Sequence, residues 1–463
     1  MKILLVEPNS KFAIRRVLGV SGPPLGLALI SSYIREHGKG KHEVKLVDAL
    51  TLNYTHEEFK DMVRDFGPDV VGISAISTSA IHDVYGYAKI AKEVNPDITT
   101  IVGGHHVSFT ANESMEECKH IDIIVCGEAE ETFLDLMNTL EDGNNLKSVL
   151  GIFYRNSGKI IGNLPRPLIE DLDSIPIPAY DQLPMNLYKM GKEKYVTIIT
   201  SRGCPFSCIF CSSSRLMGKR YRERSAKSIM EEIRILKNEY GISHIEIIDD
   251  MFVLNTKRVK ELHDMIKKEK LQIYWSCSSR VDIISRNPDV LKYLKGAGCH
   301  TVYVGAESGT QKSLDRINKG ITLEQTRKAV RLIKRAGMAV FASFIIGIPG
   351  ETRNDIEKTI KFAMELDPSW VQFTVCTPYP GTPLYEYAKD NNMLETDDWS
   401  KYTVLNPVMK LPTLSQRKLK KMLRKAYIRF YFRPKFIWNT IKYGNLDLIK
   451  KMLSAGLNYI TGK

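Results

Sequence analysis

The chain has 463 residues, 43% of them hydrophobic, which is enough for well-formed cores and excludes a globally disordered protein. Its formal net charge is +13, which fits an anionic partner (a nucleic acid, a membrane surface, a phosphorylated substrate) and equally a lysine-rich solvated surface. At ~150 residues per domain the length predicts about three units.

Met1-Lys-Ile-Leu-Leu-Val6 runs at once into Glu7-Pro8, so the start reads as a first strand rather than an export signal. No stretch approaches the ~20 apolar residues of a membrane span. A cytoplasmic location follows as the expectation. Cys118, Cys126, Cys204, Cys208, Cys211, Cys277, Cys299 and Cys376 are then reduced thiols, and only three of them cluster.

Strand and helix alternate from the start. Strands at 2–6, 44–47, 70–74, 99–102 and 121–125 are separated by helices near 27–37, 57–66 and 81–93, with a last helix ending near 140. Pro23-Pro24-Leu25-Gly26 opens the first helix and Gly38 stops it. This pattern predicts a doubly wound parallel sheet over 1–145, binding its ligand at the carboxyl ends of the strands. The loops there, Ser74 to Ser79 and Gly103-Gly104, are rich in Gly and Ser and let a ligand approach the backbone. No G-x-G-x-x-G follows the first strand, which argues against a dinucleotide.

A hairpin at 152–161 and the prolines at 165, 167, 176, 178 and 184 mark a connector over 146–194. From 195 the alternation resumes. Six βα-type repeats over 195–395 predict a partial (β/α)6 barrel with its site at the carboxyl ends of the strands. Polar or Gly/Pro motifs fall at all six of those ends. They are the cysteine loop; Asp249-Asp250; Ser276 and Arg280; Glu307-Ser308-Gly309; Gly347-Ile-Pro349-Gly350-Glu351; and Pro378-Tyr-Pro-Gly-Thr382.

The cysteine loop reads Gly203-Cys204-Pro-Phe-Ser-Cys208-Ile-Phe210-Cys211, a C-x3-C-x2-C spacing. Thiolates hold iron–sulfur clusters. Three of them on a [4Fe–4S] cube leave one iron open to a small chelator. A zinc site would need a fourth ligand, and no His or Cys follows Cys211 at a finger-like distance. With its preceding strand and the later motifs, this loop resembles that of the radical S-adenosylmethionine superfamily. The resemblance implies that Cys204, Cys208 and Cys211 bind the cluster. It also implies that Phe210, Asp249, Asp250, Ser276, Arg280, Glu307, Gly347, Pro349 and Gly350 surround S-adenosylmethionine. Glu351 is expected only to cap the next helix. Cys277, Cys299 and Cys376 read as core residues, with a catalytic thiol at Cys277 or Cys376 as the alternative.

The N-terminal motifs Pro23-Pro-Leu-Gly26, Gly72-Ile-Ser74, Val102-Gly-Gly-His105 and Gly127-Glu-Ala-Glu130 resemble the cobalamin-binding domain attached to many such enzymes. The implied cobalamin-binding residues are Pro24, Leu25, Gly26, Ser74, Ser79, Gly103, Gly104, His105, Gly127 and Glu128. The D-x-H-x-x-G motif that gives a histidine to cobalt is absent. His105 and His106 read as polar loop residues rather than metal ligands.

The region 396–463 is expected to be helical and basic, with helices at 414–431, 434–443 and 446–460, and it resembles the end of the anaerobic magnesium-protoporphyrin ester cyclase group. It would cover the barrel, line the substrate site or dock on a membrane surface. No RNA module is present, which argues against nucleic acid. The resemblance as a whole implies a cobalamin-dependent radical S-adenosylmethionine enzyme that methylates an unactivated carbon of a small or lipid-like molecule through a 5′-deoxyadenosyl radical and methylcobalamin. A flavodoxin or ferredoxin would act as its reductant. The rivals are a ring-forming enzyme without net methyl transfer, a tRNA methylthiotransferase lacking the usual second cysteine set, and a corrinoid carrier. The substrate and the catalytic residues cannot be read from the sequence.

Overall fold

The computed structural model describes residues 1–11, 22–38 and 40–442, with the side chains of 439–442 left aside. The helix expected at 446–460 lies outside the described residues.

Five strands, β1 (Lys2–Glu7), β2 (Glu43–Asp48), β3 (Val70–Ser74), β4 (Thr99–Gly103) and β5 (Ile123–Val125), form a parallel sheet in the order β2-β1-β3-β4-β5. Alternation along each strand decides which face a side chain joins. Ile3, Leu5, Val70, Ile101, Ile123 and Val125 pack under helices Leu25–His37 and Glu130–Glu141. Leu4, Val6, Val71, Ile73, Val102 and Ile124 pack on the other side, with Phe59, Val63, Val84 and Tyr87. Both faces are covered, so the strands read as near-continuous apolar runs. This is the doubly wound sheet that the alternation predicts, and the order reverses between β1 and β3, the switch point at whose strand ends such sheets bind ligands.

One assignment needs correction. The hairpin β6 (Ile152–Asn156) and β7 (Lys159–Gly162) is not part of a connector. It continues the same sheet, β6 pairing antiparallel with β5. Its residues Ile152 and Tyr154 alternate inward into the sheet's core; the hairpin itself is visible in the sequence, but its pairing with β5 is not.

The second sheet begins with a short hairpin, β8 (Lys189–Met190) against β9 (Glu193–Ile198). A two-stranded ribbon, β10 (Ser201–Arg202) with β11 (Arg222–Glu223), brackets the cysteine loop. The strands β12 (His244–Ile247), β13 (Tyr274–Ser279), β14 (Cys299–Glu307), β15 (Ala339–Ile346) and β16 (Trp370–Val375) then follow β9 in order, all parallel. Six parallel strands make the partial barrel. Val196, Ile198, Ile245, Ile247, Trp275, Val302, Val304, Val340 and Phe373 point outward into the core beneath the helices. The intervening residues face the lumen.

The barrel is open at β16, and its edge is covered. Helix Gln416–Tyr431 lies along it, and two tyrosines one turn apart act as a surrogate strand. The Tyr427 hydroxyl accepts from Phe373 N (3.2 Å) and donates to Phe373 O (2.9 Å). The Tyr431 hydroxyl does the same at Val371, at 3.1 and 2.6 Å. An edge whose backbone groups are satisfied no longer templates aggregation. Of the roles expected for the C-terminal region, covering the barrel is the one these contacts perform.

Candidate active site

The cysteine loop begins at Gly203, whose φ of +87° and close backbone neighbour (a Cβ would sit 2.2 Å from the Arg220 carbonyl) exclude any side chain. The loop is held by main-chain bonds from three directions: Cys204 N to Gly218 O (3.1 Å), Ile209 N to Ile317 O (3.1 Å) and Leu384 N to Ile209 O (2.9 Å). Asn318 adds a side-chain bond to Ser207 O at 2.9 Å. Cys204, Cys208 and Cys211 are free, half-buried thiols. Burial pushes the Cys204 and Cys208 thiols up, while Lys319 and Arg280 pull Cys208 down.

Among the described residues, no three His, Cys, Asp or Glu side chains converge on a point that would hold a single metal ion. Three thiols on one loop tied by main-chain bonds and flanked by two cations fit the iron–sulfur cluster that their spacing implies.

The residues expected around S-adenosylmethionine divide into two groups. Phe210 joins an apolar wall with Ile209, Ile317, Ile348 and Leu384, and Lys319 approaches its ring at 5.9 Å. Asp250 is open to solvent, receives a bond from Ser213 (3.0 Å) and has its carboxyl raised by the protein around it, as on the floor of a cleft. Glu307 has a left-handed φ of +59°, which costs a non-glycine residue about 1–3 kcal/mol. That turn aims its carboxylate at Lys319 Nζ, 2.6 Å away. Gly305 makes the space, since a Cβ there would lie 2.2 Å from Glu307 Oε1.

The other group is structural. Asp249 is buried and accepts from Thr200 N (2.6 Å), Thr200 Oγ1 (2.5 Å) and Ser201 Oγ (2.6 Å), so it clasps the start of the cysteine loop rather than a ligand. Arg280 is likewise buried, bonded to Asp282 (2.9 Å) and Lys319 O (2.7 Å), with its guanidinium 3.6 Å from the Phe206 ring centre. Ser276 is buried on the lumen side of β13. Gly347 has φ +78° and packs against Leu419, while Gly350 has φ +77° and Arg316 donates to its carbonyl at 2.6 Å. Pro349 lies half-buried between them.

Glu351 does not cap the next helix. Thr352 does, in a capping box with Asp355. Glu351 instead turns inward and accepts from Gly347 N (2.9 Å), Ile348 N (3.1 Å) and Ser313 Oγ (2.8 Å), which fixes the whole loop. Cys277 and Cys376 are fully buried with thiols pushed up by burial, which places them in the core and away from the mouth.

At the strand ends of the first sheet, Gly104 has φ +128°, and a Cβ there would meet the Ala75 backbone at 2.7 Å. Gly127 has φ +77° and open space where a side chain would stand. Gly26 is also open, whereas Gly103 has ordinary contacts with Val125. Pro24, Leu25, Ser74 and Ser79 are buried at the same rim. His105 is exposed yet has a depressed pKa from the protein around it, so it sits on the floor of a recess. His106 is buried behind Trp399, with Nδ1 3.2 Å from Thr78 Oγ1 and Nε2 lacking a hydrogen-bond partner. A glycine-lined recess with an unfilled buried nitrogen beside it fits a large polar cofactor.

Glu128, expected at the cobalamin, is committed elsewhere. Its buried carboxylate receives Ile169 N (2.8 Å), Arg222 (2.9 Å) and Arg202 (3.1 Å). Glu130 holds Arg202 as well. These acids follow β5, and Arg202 lies two residues before Cys204, so the network ties one site to the other. Phe109 and Gly381 meet at a second point, where a Cβ on Gly381 would lie 2.3 Å from the Phe109 ring. Sequence reasoning missed Lys319, Glu130, Arg202 and Arg222. A signal existed for Lys319, which stands between two left-handed residues, Asn318 (φ +51°) and Gly320 (φ +66°), a turn that faces the cysteine loop.

Two families match. Residues 198–363 match the radical SAM superfamily and residues 13–137 the B12-binding domain. An uncharacterized methyltransferase of Pyrococcus horikoshii is 48% identical, over 98% of this chain and 97% of its own. An anaerobic magnesium-protoporphyrin IX monomethyl ester cyclase of Rubrivivax gelatinosus is 32% identical, over 94% of this chain and 78% of its own. The solved structure of OxsB, a cobalamin-dependent S-adenosylmethionine radical enzyme with aqua-cobalamin and S-adenosylmethionine bound, shares the fold at a TM-score of 0.78. It is 19% identical, and the likeness covers 96% of this chain and 71% of that one.

Proposed function

The chain belongs to the cobalamin-dependent radical S-adenosylmethionine enzymes, which work with a [4Fe–4S] cluster, S-adenosylmethionine and cobalamin, and on that premise we propose that it transfers a methyl group to an unactivated carbon of a small or lipid-like molecule. The observation that carries this reading is the meeting of the carboxyl ends of the two sheets, joined by Glu128 and Glu130 to Arg202 and by Phe109 to Gly381. A substrate held between them touches both cofactor sites at once. The relative that matches at 48% bears the name methyltransferase, and the one at 32% is a cyclase, so methyl transfer is the better-supported outcome.

When bound, the cluster and S-adenosylmethionine supply one-electron chemistry that removes a substrate hydrogen, and the corrinoid supplies the methyl group. The chain's own residues do the rest. Cys204, Cys208 and Cys211 would hold the cluster, and the cations Lys319 and Arg280 beside Cys208 favour its thiolate. Phe210 and its apolar neighbours exclude water on one side of the cluster loop. The Gly104–His105 recess would receive the corrinoid, with Trp399 closing over His106.

A flavodoxin- or ferredoxin-type protein would deliver the electron. Helix Gln416–Tyr431 and the exposed Phe432, Ile437 and Trp438 beyond it would rest on an anionic membrane surface. Among the described residues no helix is long and apolar enough to cross a membrane.

The experiment is anaerobic reconstitution. The wild type should show cluster absorbance, retain corrinoid and release 5′-deoxyadenosine from S-adenosylmethionine on reduction. Cys208→Ala should lose the absorbance and the release. With methyl-labelled S-adenosylmethionine and lipid and metabolite extracts of a strain lacking the gene as substrate source, the label should enter a product one methyl group heavier. Turnover without label in any product overturns methyl transfer in favour of ring formation.

A further inference from the structure

The lumen of the barrel is polar in a one-sided way. Thr197, Glu246, Tyr303, Ser343, Gln372 and Thr374 face it from successive strands and stay partly accessible. Among the described residues, no lysine or arginine lies on the lumen face of the six parallel strands apart from the strand ends already assigned. Glu246, on β12, is the acid at the centre; His244, two residues before it on the same face, is bonded to His300 at 2.9 Å, and burial lowers the pKa of both imidazoles. The Tyr195 hydroxyl donates to the Glu246 carboxylate, and Tyr303, two strands along on β14, comes near enough to favour the charged form. It takes part in no ion pair in the described structure. Its carboxyl lies above the usual range because burial is not offset by a cation. Aromatic rings stand around it: Tyr195, and the Tyr303 ring 5.0 Å from that of Phe341.

A half-buried carboxylate with no lysine or arginine partner among the described residues is an expensive arrangement unless something brings a cation. The Tyr195 donor and the nearby Tyr303 hydroxyl reduce that cost without neutralising the charge. The rings offer the negative π-faces that attract an ammonium. An anionic headgroup would meet a like charge and no compensating donor beyond hydroxyls. Glu246 sits on the second strand of the barrel, below the level of Asp250 and hence below the cysteine loop, where the far end of a substrate would lie.

We propose that Glu246, with Tyr195 and Tyr303, anchors a protonated amine carried by the substrate at the end remote from the reacting carbon. The inference rests on reading the barrel lumen as the substrate chamber of the methyl transfer described above. It sets a selection rule opposite to that expected from the net charge of the molecule, since the surface is basic and the chamber is acidic.

Hexylammonium, hexanoate and hexanol, added to the reconstituted holoenzyme, probe the chamber without knowledge of the substrate. Tyrosine near-UV difference spectra and ligand-observed NMR report binding. Hexylammonium should bind at least about tenfold more tightly than hexanoate, and more tightly than hexanol, as expected for a charge-assisted bond. Glu246→Gln should erase the preference. Tyr303→Phe, which keeps the carboxylate and removes one donor, should retain it. Equal binding of the three probes by the wild type, or an unchanged preference in Glu246→Gln protein that retains cluster absorbance, overturns the proposal. Release of 5′-deoxyadenosine by the wild type is read in the same samples. Its absence would count against the proposed reaction, while probe selectivity is decided independently of it.

Discussion

Glu351 is fully buried, and its carboxyl is pushed up to about 7, burial outweighing the three hydrogen bonds it accepts. In the unfolded chain the same group ionises at its ordinary value near 4.5. Between those values the folded protein keeps a proton that the unfolded chain has released. Stability therefore falls as pH rises through this window and levels off above about 7. The shift corresponds to roughly 3 kcal/mol at most. Glu351→Gln keeps an acceptor for Gly347 and Ile348 and turns its NH2 to Ser313 Oγ, whose hydroxyl then accepts instead of donating, and it should flatten this part of the curve. The buried His106 and the half-buried His300, both depressed to about 4 chiefly by burial, work in the opposite sense in both proteins. The check is the difference in thermal midpoint between wild type and Glu351→Gln from pH 5 to 8. A constant difference would show that Glu351 ionises alike in both states. At this scale the sequence was partly legible. The three cysteines announce their chemistry through residue type and spacing. Glu351 and Asp249 do not, because a carboxylate at a strand end serves a ligand or a backbone turn with the same local sequence, and the choice depends on which amides the fold brings to it.

Elements are where the two sites become mechanically connected. The ribbon of β10 and β11 carries Arg202 and Arg222 to the acids that follow β5. Glu128→Gln leaves the buried Arg222 without its carboxylate and Arg202 with Glu130 alone, a change that costs about 3–5 kcal/mol. Arg222→Met should cost a comparable amount, and the double variant less than the sum, since both act on one network. Hydrogen exchange at the amides of residues 201–204 and 123–126 measures the local opening energy directly. Additive costs would mean that the two groups do not form a unit. The alternation of strands and helices made both sheets predictable, because each strand's apolar period is set by its own residues. The hairpin β6–β7 and the helix over β16 were visible as elements, but their places against β5 and β16 were not. Their partners lie far off in sequence, and a strand pairing or a covered edge is written in two places at once. The Tyr427 and Tyr431 spacing of one helical turn was visible, but nothing local says that their hydroxyls meet the backbone of a strand.

The whole molecule combines an acidic chamber with a basic exterior. Net charge is +13, and Arg417, Lys420, Lys421 and Arg424 line an open groove of about 700 Å³ along helix Gln416–Tyr431 together with Leu405 and Leu423. Ile428, Phe432, Ile437 and Trp438 are exposed on the same helix and its continuation, Trp438 at 69%. Composition foretold the charge, but only the fold separates it from the lumen. Cations beside exposed rings suit the boundary between lipid headgroups and acyl chains. The protein should therefore float with vesicles rich in phosphatidylglycerol and not with pure phosphatidylcholine. The bound fraction should fall as salt approaches 0.5 M, where the screening length is only about 4–5 Å. Each basic residue near such a surface contributes about 1 kcal/mol, so Lys420→Glu/Lys421→Glu should weaken binding by more than about tenfold. Trp438→Ser should weaken it with little change in salt dependence, because it removes apolar contact and leaves the charge intact. Equal flotation with neutral vesicles, or a double charge reversal without effect, would assign this basic face to solvent or to an acidic protein partner instead.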